Sequence, residues 1–262
     1  MSTPSVARIY DYAVGGSEHV EVDRQATRAM LERWPDACRV ARQNRAWLAR
    51  AVHHVASQGV AQFLDHGSGL PTQSNVHQVA QQSVPDSRVV YVDYDPVVLE
   101  RGRGLLAEDG RTEVVAANMA SVEEILGNPR VQELIDFTEP VAVLYVSALH
   151  CLPDEDDPGS VVRRVVDAVP SGSYLVLSHL VSRDPGAARS LTEFMRASAR
   201  WGSVRTEDEV AEHFAGLQVC SPGLGNIREW RPDLSVPGLV EHYPDEAVDE
   251  TIWEFGGVAR KP

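Results

Sequence analysis

Between residues 61 and 179 short apolar runs alternate with helical stretches, and this alternation limits the fold more than any other feature of the chain. The strand-like runs lie at 62–65, 88–93, 113–117, 141–148 and 174–179 and are rich in Val, Leu and Tyr. Near-continuous apolar runs fit strands covered on both faces, as in a parallel sheet. The stretches between them, 73–83, 97–107, 122–135 (interrupted near Pro129) and 159–168, read as helices. The pattern predicts a doubly wound, Rossmann-like α/β sheet.

Upstream, Ala29, Met30 and Trp34 recur at helical spacing until Pro35 interrupts them. A second helix at 37–56 carries Val40, Trp47, Leu48, Ala51 and Val55 on one stripe. After the alternating region come helices at 187–201 and 207–214, a Pro/Gly-rich stretch at 222–237 and a strand candidate at 252–260. No repeat or linker divides the chain. The expected organisation is one domain over 1–262, with an N-terminal strap and helices (1–58) on an α/β core (59–262).

Composition narrows the partners. The 262 residues include 38 acidic and 24 basic side chains, giving a net charge of −14, which disfavours nonspecific nucleic-acid binding. With 43% hydrophobic and 24% charged residues, the chain is neither disordered nor a disulfide scaffold. Cys38, Cys151 and Cys220 form no CxxC pair and are odd in number. There is no apolar signal core at the start and no apolar run long enough to span a membrane. A soluble cytoplasmic protein with no membrane partner is expected, and its oligomeric state stays open, a homodimer included.

The sharpest local feature is Phe63-Leu-Asp-His-Gly-Ser-Gly-Leu-Pro-Thr72, a glycine loop joining the first strand of the sheet to its first helix. Gly67 and Gly69 allow backbone angles and approaches that a Cβ forbids. Open α/β sheets bind ligands at this end of their strands. A Gly-x-Gly loop alone is weak evidence. It is strengthened by Val89-Val-Tyr-Val-Asp93, a strand ending in an acid 24 positions beyond Gly69. A carboxylate there suits the hydroxyls of a ribose, whereas Asp95 suits the helix cap before Pro96. A dinucleotide would want a third glycine where Thr72 stands, with Pro71 before it. S-adenosylmethionine has no pyrophosphate to seat, and Asp65 suits its ammonium and sulfonium charges.

These residues resemble a known family. Leu64-Asp-His-Gly-Ser-Gly-Leu-Pro-Thr-Gln-Ser-Asn-Val-His77, Val89-Val-Tyr-Val-Asp-Tyr-Asp-Pro-Val-Val98 and Leu149-His-Cys-Leu-Pro-Asp-Glu-Asp-Asp-Pro158 look like the actinobacterial S-adenosylmethionine-dependent methyltransferases long catalogued as a domain of unknown function. Ala7-Arg-Ile-Tyr-Asp-Tyr-Ala-Val-Gly-Gly16, Gln43-Asn-Arg-Ala-Trp-Leu48 and Gly256-Gly-Val-Ala-Arg-Lys-Pro262 extend the similarity over nearly the whole chain. The resemblance implies a class I methyltransferase fold, a seven-stranded, mostly parallel sheet with its last strand antiparallel. It implies that Gly67, Ser68 and Gly69 lie against the methionine part, that Asp93 holds the ribose, and that Tyr94 and Asp95 flank the adenine. Asn118 and Met119 would reach the adenine edge, and Ser147 to His150 would border the methyl group. Asn75 falls in a matching stretch and joins the expected cofactor-binding set. His66 stands where an apolar residue is expected, and Asn118 where Asp is commoner.

Several residues keep two readings. Tyr10 and Gly16 belong either to a segment closing over the site or to a strap packed on the sheet; the resemblance favours a place near the cofactor. Arg45 either forks onto the methionine carboxylate or lies on the surface. His150 is either a general base or a structural histidine. Asp154-Glu-Asp-Asp157 reads as a solvated helix start, and His53, His54 and Cys151 form no zinc set, so no metal is expected. The leading reading is methyl transfer from S-adenosylmethionine to a small molecule, releasing S-adenosylhomocysteine. The alternatives are a non-catalytic S-adenosylmethionine-binding protein and an NAD(P)-dependent oxidoreductase.

Overall fold

The computed structural model describes residues 3–71, 74–106, 110–236 and 251–262. Thr72 of the glycine-loop motif, Gln73 of the expected first sheet helix, and Ala107 lie outside them. The N-terminal part forms α1 (Val6–Ala13), α2 (Glu21–Leu31) and α3 (Ala37–Ser57). The core follows as β1 (Gln62–His66), α4 (Val76–Ser83), β2 (Arg88–Asp93), α5 (Pro96–Leu106), β3 (Thr112–Ala116), α6 (Val122–Leu126), α7 (Pro129–Leu134), β4 (Ala142–Val146), α8 (Pro158–Ala168) and β5 (Tyr174–Val181). The last third adds α9 (Pro185–Ser198), α10 (Glu207–Ala211), the two-residue strands β6 (Gln218–Val219) and β7 (Gly225–Asn226), and β8 (Trp253–Arg260).

The strands run in the order β3-β2-β1-β4-β5-β8-β6, with β7 also paired to β8. β1 to β5 are mutually parallel, and β8 lies antiparallel to β5 from Tyr174↔Arg260 to Val181↔Trp253. The seven-strand path with an antiparallel member is the class I methyltransferase arrangement. The eighth strand is a two-residue pairing inside the Pro/Gly-rich stretch, too short to leave a period in the sequence.

Alternate residues of each central strand enter different core layers, so both faces are apolar. Leu64, Val90, Val143 and Leu175 pack in the layer of α6, α7 and α8. Phe63, Val89, Leu144 and Val176 pack against Trp47, Val52 and Val55 of α3. Proline opens α5, α7, α8 and α9, where its missing N–H costs nothing. Asp157, from the acidic run, caps α8 by accepting from the Ser160 N–H. Among the described residues there is no helix long and apolar enough to cross a membrane, and no group of three or more His, Cys, Asp or Glu arranged for a metal.

Residues 7–16 of the expected strap fold as a helix and a turn. Ser5 caps α1, and the buried Arg8 Nε donates to Asp23 Oδ2 at 2.6 Å, joining α1 to α2. Burial raises the Asp23 pKa, but donors from Arg8, Val20 and Ser5 outweigh it and hold the carboxyl below its ordinary value. Asp11 receives the Glu18 and His19 N–H groups, and Gly16 lies against it so closely that a Cβ would meet Oδ1 at 1.9 Å. A glycine is therefore required at 16 by the turn itself.

Candidate active site

β1 sits between β2 and β4, so the chain turns outward in opposite directions from β1 and β4. This is the switch point where open α/β sheets bind ligands. A cavity of about 660 Å³ opens there, within the range of small-molecule sites. Its walls are the loops after β1, β2 and β4, Met119 after β3, residues 3–10 of the strap and Arg45 of α3.

The glycine loop is tied down by backbone bonds. Gly67 and Ser68 N–H both donate to the Val92 carbonyl, at 2.8 and 3.3 Å. Gly67 has φ +67, and a Cβ there would meet the Ala148 Cβ at 2.7 Å, so it is constrained in both backbone angle and space. The Gly69 N–H donates to Asp93 Oδ2 at 2.9 Å, and the Asp95 N–H to Asp93 Oδ1 at 2.9 Å. Residues 24 positions apart thus form one cradle. Each Asp93 oxygen retains a further lone pair for a ligand hydroxyl. Burial raises the Asp93 pKa, opposed by these N–H donors.

Asp65 is 6% exposed and lines the same cavity. Burial pushes its pKa up to about 7, opposed by Arg45 and reinforced by Asp93. Arg45 Nη2 donates to Asn75 Oδ1 at 3.0 Å and to the Ser74 carbonyl at 3.3 Å. Asp95 caps α5 through the Val97 N–H and accepts the Ser5 hydroxyl, pinning the strap beside the end of β2. Tyr94 is half exposed on the cavity wall.

The cavity thus gathers Tyr10, Arg45, Asp65, Gly67, Ser68, Gly69, Asp93, Tyr94, Asp95, Met119 and Ser147. Four expected residues lie outside its lining. Gly16 serves the turn after α1. Asn75 flanks α4 and holds Arg45. Asn118 Oδ1 accepts the Ala120 N–H at 3.0 Å and so shapes the loop after β3. His150 is buried, and its Nδ1 accepts the Leu180 N–H at 3.3 Å. Burial lowers its pKa to about 3, so it is a neutral imidazole whose free nitrogen carries a proton to donate rather than a site to accept one. His66 is likewise buried and uncharged, its pKa lowered to about 4, and stacks on Tyr145 with ring centres 4.5 Å apart. It fills the apolar position by its flat ring.

Sequence reading missed a chain of contacts behind Ser147. The Ser147 N–H donates to Ser178 Oγ, Ser178 Oγ donates to Asn44 Oδ1, and Asn44 Nδ2 donates to the Tyr10 hydroxyl. Ser147 Oγ donates to Glu254 Oε1 at 2.6 Å, and its φ is +53, a left-handed value uncommon without glycine. The available signal was a lone acid in the otherwise apolar run Ile252-Trp-Glu-Phe.

The model of a family described as S-adenosyl methyltransferase matches residues 1–262. The chain belongs to that family. The methyltransferase is similar to a candidate methyltransferase from Thermobifida fusca, at 38% identity and a TM-score of 0.91 over 100% of this chain and 96% of the other. It is also similar to a DUF574 family protein from Streptomyces avermitilis, at 38% identity and a TM-score of 0.88 over 99% and 98% of the two chains. No curated protein matches it. It is therefore an S-adenosylmethionine-dependent methyltransferase, and the cradle fits that cofactor: Asp65 and Asp93 face the cavity, and Gly67 leaves the space that a Cβ would fill. When bound, the cofactor supplies a methyl group already activated on a positive sulfur.

A cation seated beside Asp65 would sense pH through that carboxyl. Its carboxyl is ionised above about pH 7 and neutral below. Binding of S-adenosylmethionine is expected to weaken by up to about tenfold per pH unit below 7. Titrations between pH 5.5 and 8 read this directly, and Asp65→Asn is expected to flatten the profile.

Proposed function

We propose that this methyltransferase modifies a small molecule, with Asp65 and Arg45 holding the amino-acid end of the cofactor and Asp93 the ribose. Tyr94, Asp95, Met119 and the loop at Asn118 would border the adenine; Gly67, Ser68, Gly69 and Ser147 would border the sulfur and its methyl. Asn75 would act by holding Arg45, and Gly16 by shaping the turn that carries Tyr10. The observation that carries this reading is the cradle at the switch point, where Asp93 receives the Gly69 N–H at 2.9 Å while Asp65 stands beside it on the cavity wall.

The enzyme's own part is orientation and exclusion of water, because the methyl donor needs no further activation. The strap supports this role: residues 3–10 wall the cavity and Ser5 is bonded to Asp95. Residues 1–58 and 59–262 then act as one unit, since both contribute to that wall. Three free cysteines support a reducing, cytoplasmic setting. The net charge of −14 speaks against a nucleic-acid acceptor.

Methyl-labelled cofactor incubated with a cell extract tests the acceptor class. Label is expected in low-molecular-mass products once these are separated from unreacted cofactor. Label confined to protein or nucleic acid would refute a small-molecule acceptor.

A further inference from the structure

A second cavity adjoins the first, and Val6, Tyr10 and Ser147 line both. Its volume is about 220 Å³, roughly one and a half times that of a cavity which takes up benzene. Ile9, Met30, Leu191 and Trp201 of its wall belong to a third apolar cluster, apart from the two sheet layers. Trp34 adds a partly buried aromatic face.

Ser147, His150 and Glu254 are among the polar groups that interrupt this wall, with Tyr10, Arg33, Asp36 and Thr251. Glu254 projects from β8 and is 3% exposed. Its Oε1 accepts the Ser147 hydroxyl at 2.6 Å. Its Oε2 is buried and has no hydrogen-bond partner among the described residues. A buried carboxyl oxygen left without a donor is costly and calls for one from a ligand.

Resting on the proposed function, we propose that this chamber seats the methyl acceptor, an apolar one- or two-ring compound carrying a phenolic hydroxyl, and that Glu254 receives the hydroxyl proton. A phenol enters the apolar chamber uncharged. An ammonium beside this carboxylate would be held protonated, with no lone pair to take a methyl group. The proton passes from the hydroxyl to Glu254. The oxygen electron pair forms the new O–C bond while the C–S bond breaks, and that bond's electrons remain on sulfur and cancel its charge. The products are a methyl ether, S-adenosylhomocysteine and a Glu254 carboxylic acid that loses its proton to water on product release. His150 lines the same chamber and, with its Nδ1 taken by the Leu180 N–H, stays a donor.

Burial raises the Glu254 pKa to about 7, opposed first by the Ser147 hydroxyl, which suits a base near neutrality. The titratable groups around it are His150, Cys151, Tyr10, Arg33 and Asp36. His150 is neutral, burial and the charges of Asp93 and Glu254 keep the Cys151 thiol protonated, and Asp36 pairs with Arg39 at 3.0 Å. Arg33 lies over the Phe194 ring.

The test uses 2-naphthol and naphthalene as probes with the whole protein saturated by S-adenosylhomocysteine. Above about pH 7, 2-naphthol is expected to bind about ten- to a hundredfold tighter than naphthalene, the preference a charged hydrogen bond gives. That preference is expected to shrink as pH falls toward 6 and to lose its pH dependence in Glu254→Gln. Ala37→Trp, which fills the chamber from α3, is expected to abolish 2-naphthol binding while S-adenosylhomocysteine still binds. A hydroxyl preference that is absent or indifferent to pH in the parent, or undiminished 2-naphthol binding in Ala37→Trp, would overturn the proposal. Failure of S-adenosylhomocysteine to bind the parent would overturn the cofactor assignment instead, and the probe titrations would still decide the chamber.

Discussion

Asp93→Ala is expected to weaken S-adenosylmethionine binding by roughly 10²–10⁴-fold. The carboxylate is the group available to receive two ribose hydroxyls, and each hydrogen bond to a charged group contributes about 1.5–3 kcal/mol. The same carboxylate fixes the cradle itself, because it receives the Gly69 and Asp95 N–H groups at 2.9 Å each. Its removal therefore leaves two backbone donors without their partner and lets the glycine loop move away from the end of β2. Asp93→Asn retains one acceptor oxygen and is expected to fall between the parent and Asp93→Ala. Calorimetry on all three proteins, with far-ultraviolet circular dichroism as the check on folding, measures this. Parent-like affinity in Asp93→Ala would remove Asp93 from the cofactor site.

The second large effect is on stability and lies in the N-terminal extension. Arg8 and Asp23 form an ion pair at 2.6 Å with side chains 4% and 0% exposed. Breaking such a pair by removing one partner leaves a buried charge uncompensated, at a cost of ~3–5 kcal/mol. Arg8→Ala is thus expected to lower Tm by roughly 10 °C at neutral pH. The sign of its pH dependence follows from Asp23. Its folded pKa is held below the ordinary carboxylate value, so its contribution is present above that value and lost as pH falls through the lowered one. The deficit of the variant should accordingly shrink in acid, where protonated Asp23 no longer needs a counter-charge. Because Arg8 itself lines the cavity at the switch point, cofactor affinity is expected to fall in the same variant. A Tm within a degree or two of the parent would show that the pair does not hold the strap.

The sheet was legible in the chain to the extent that its signals were local. β2 occupies the expected residues, and Pro35, Pro129 and Pro158 mark helix boundaries as their missing N–H requires. The glycine loop and Asp93 were legible because strand order brings consecutive strand ends together: β1 and β2 pair in parallel, so their carboxyl ends share an edge of the sheet. Two kinds of feature escaped. α1 has only eight residues, too few for a convincing period, and it is held by the long-range contacts of Arg8 and Ser5 rather than by its own pattern. Glu254 reaches Ser147 across 107 positions because β8 enters the sheet antiparallel to β5, a placement that no local pattern encodes. The left-handed backbone of Ser147 was hidden for a similar reason, since contacts from β5 and β8 impose it.

The most direct test of the account is isothermal calorimetry of the protein with S-adenosylmethionine, S-adenosylhomocysteine and NADH in separate titrations. Both sulfur compounds are expected to bind with micromolar dissociation constants at pH 8, and NADH is expected not to bind. Binding of NADH with neither sulfur compound bound would contradict the account, because the cradle of Gly67, Gly69, Asp65 and Asp93 would then serve a dinucleotide.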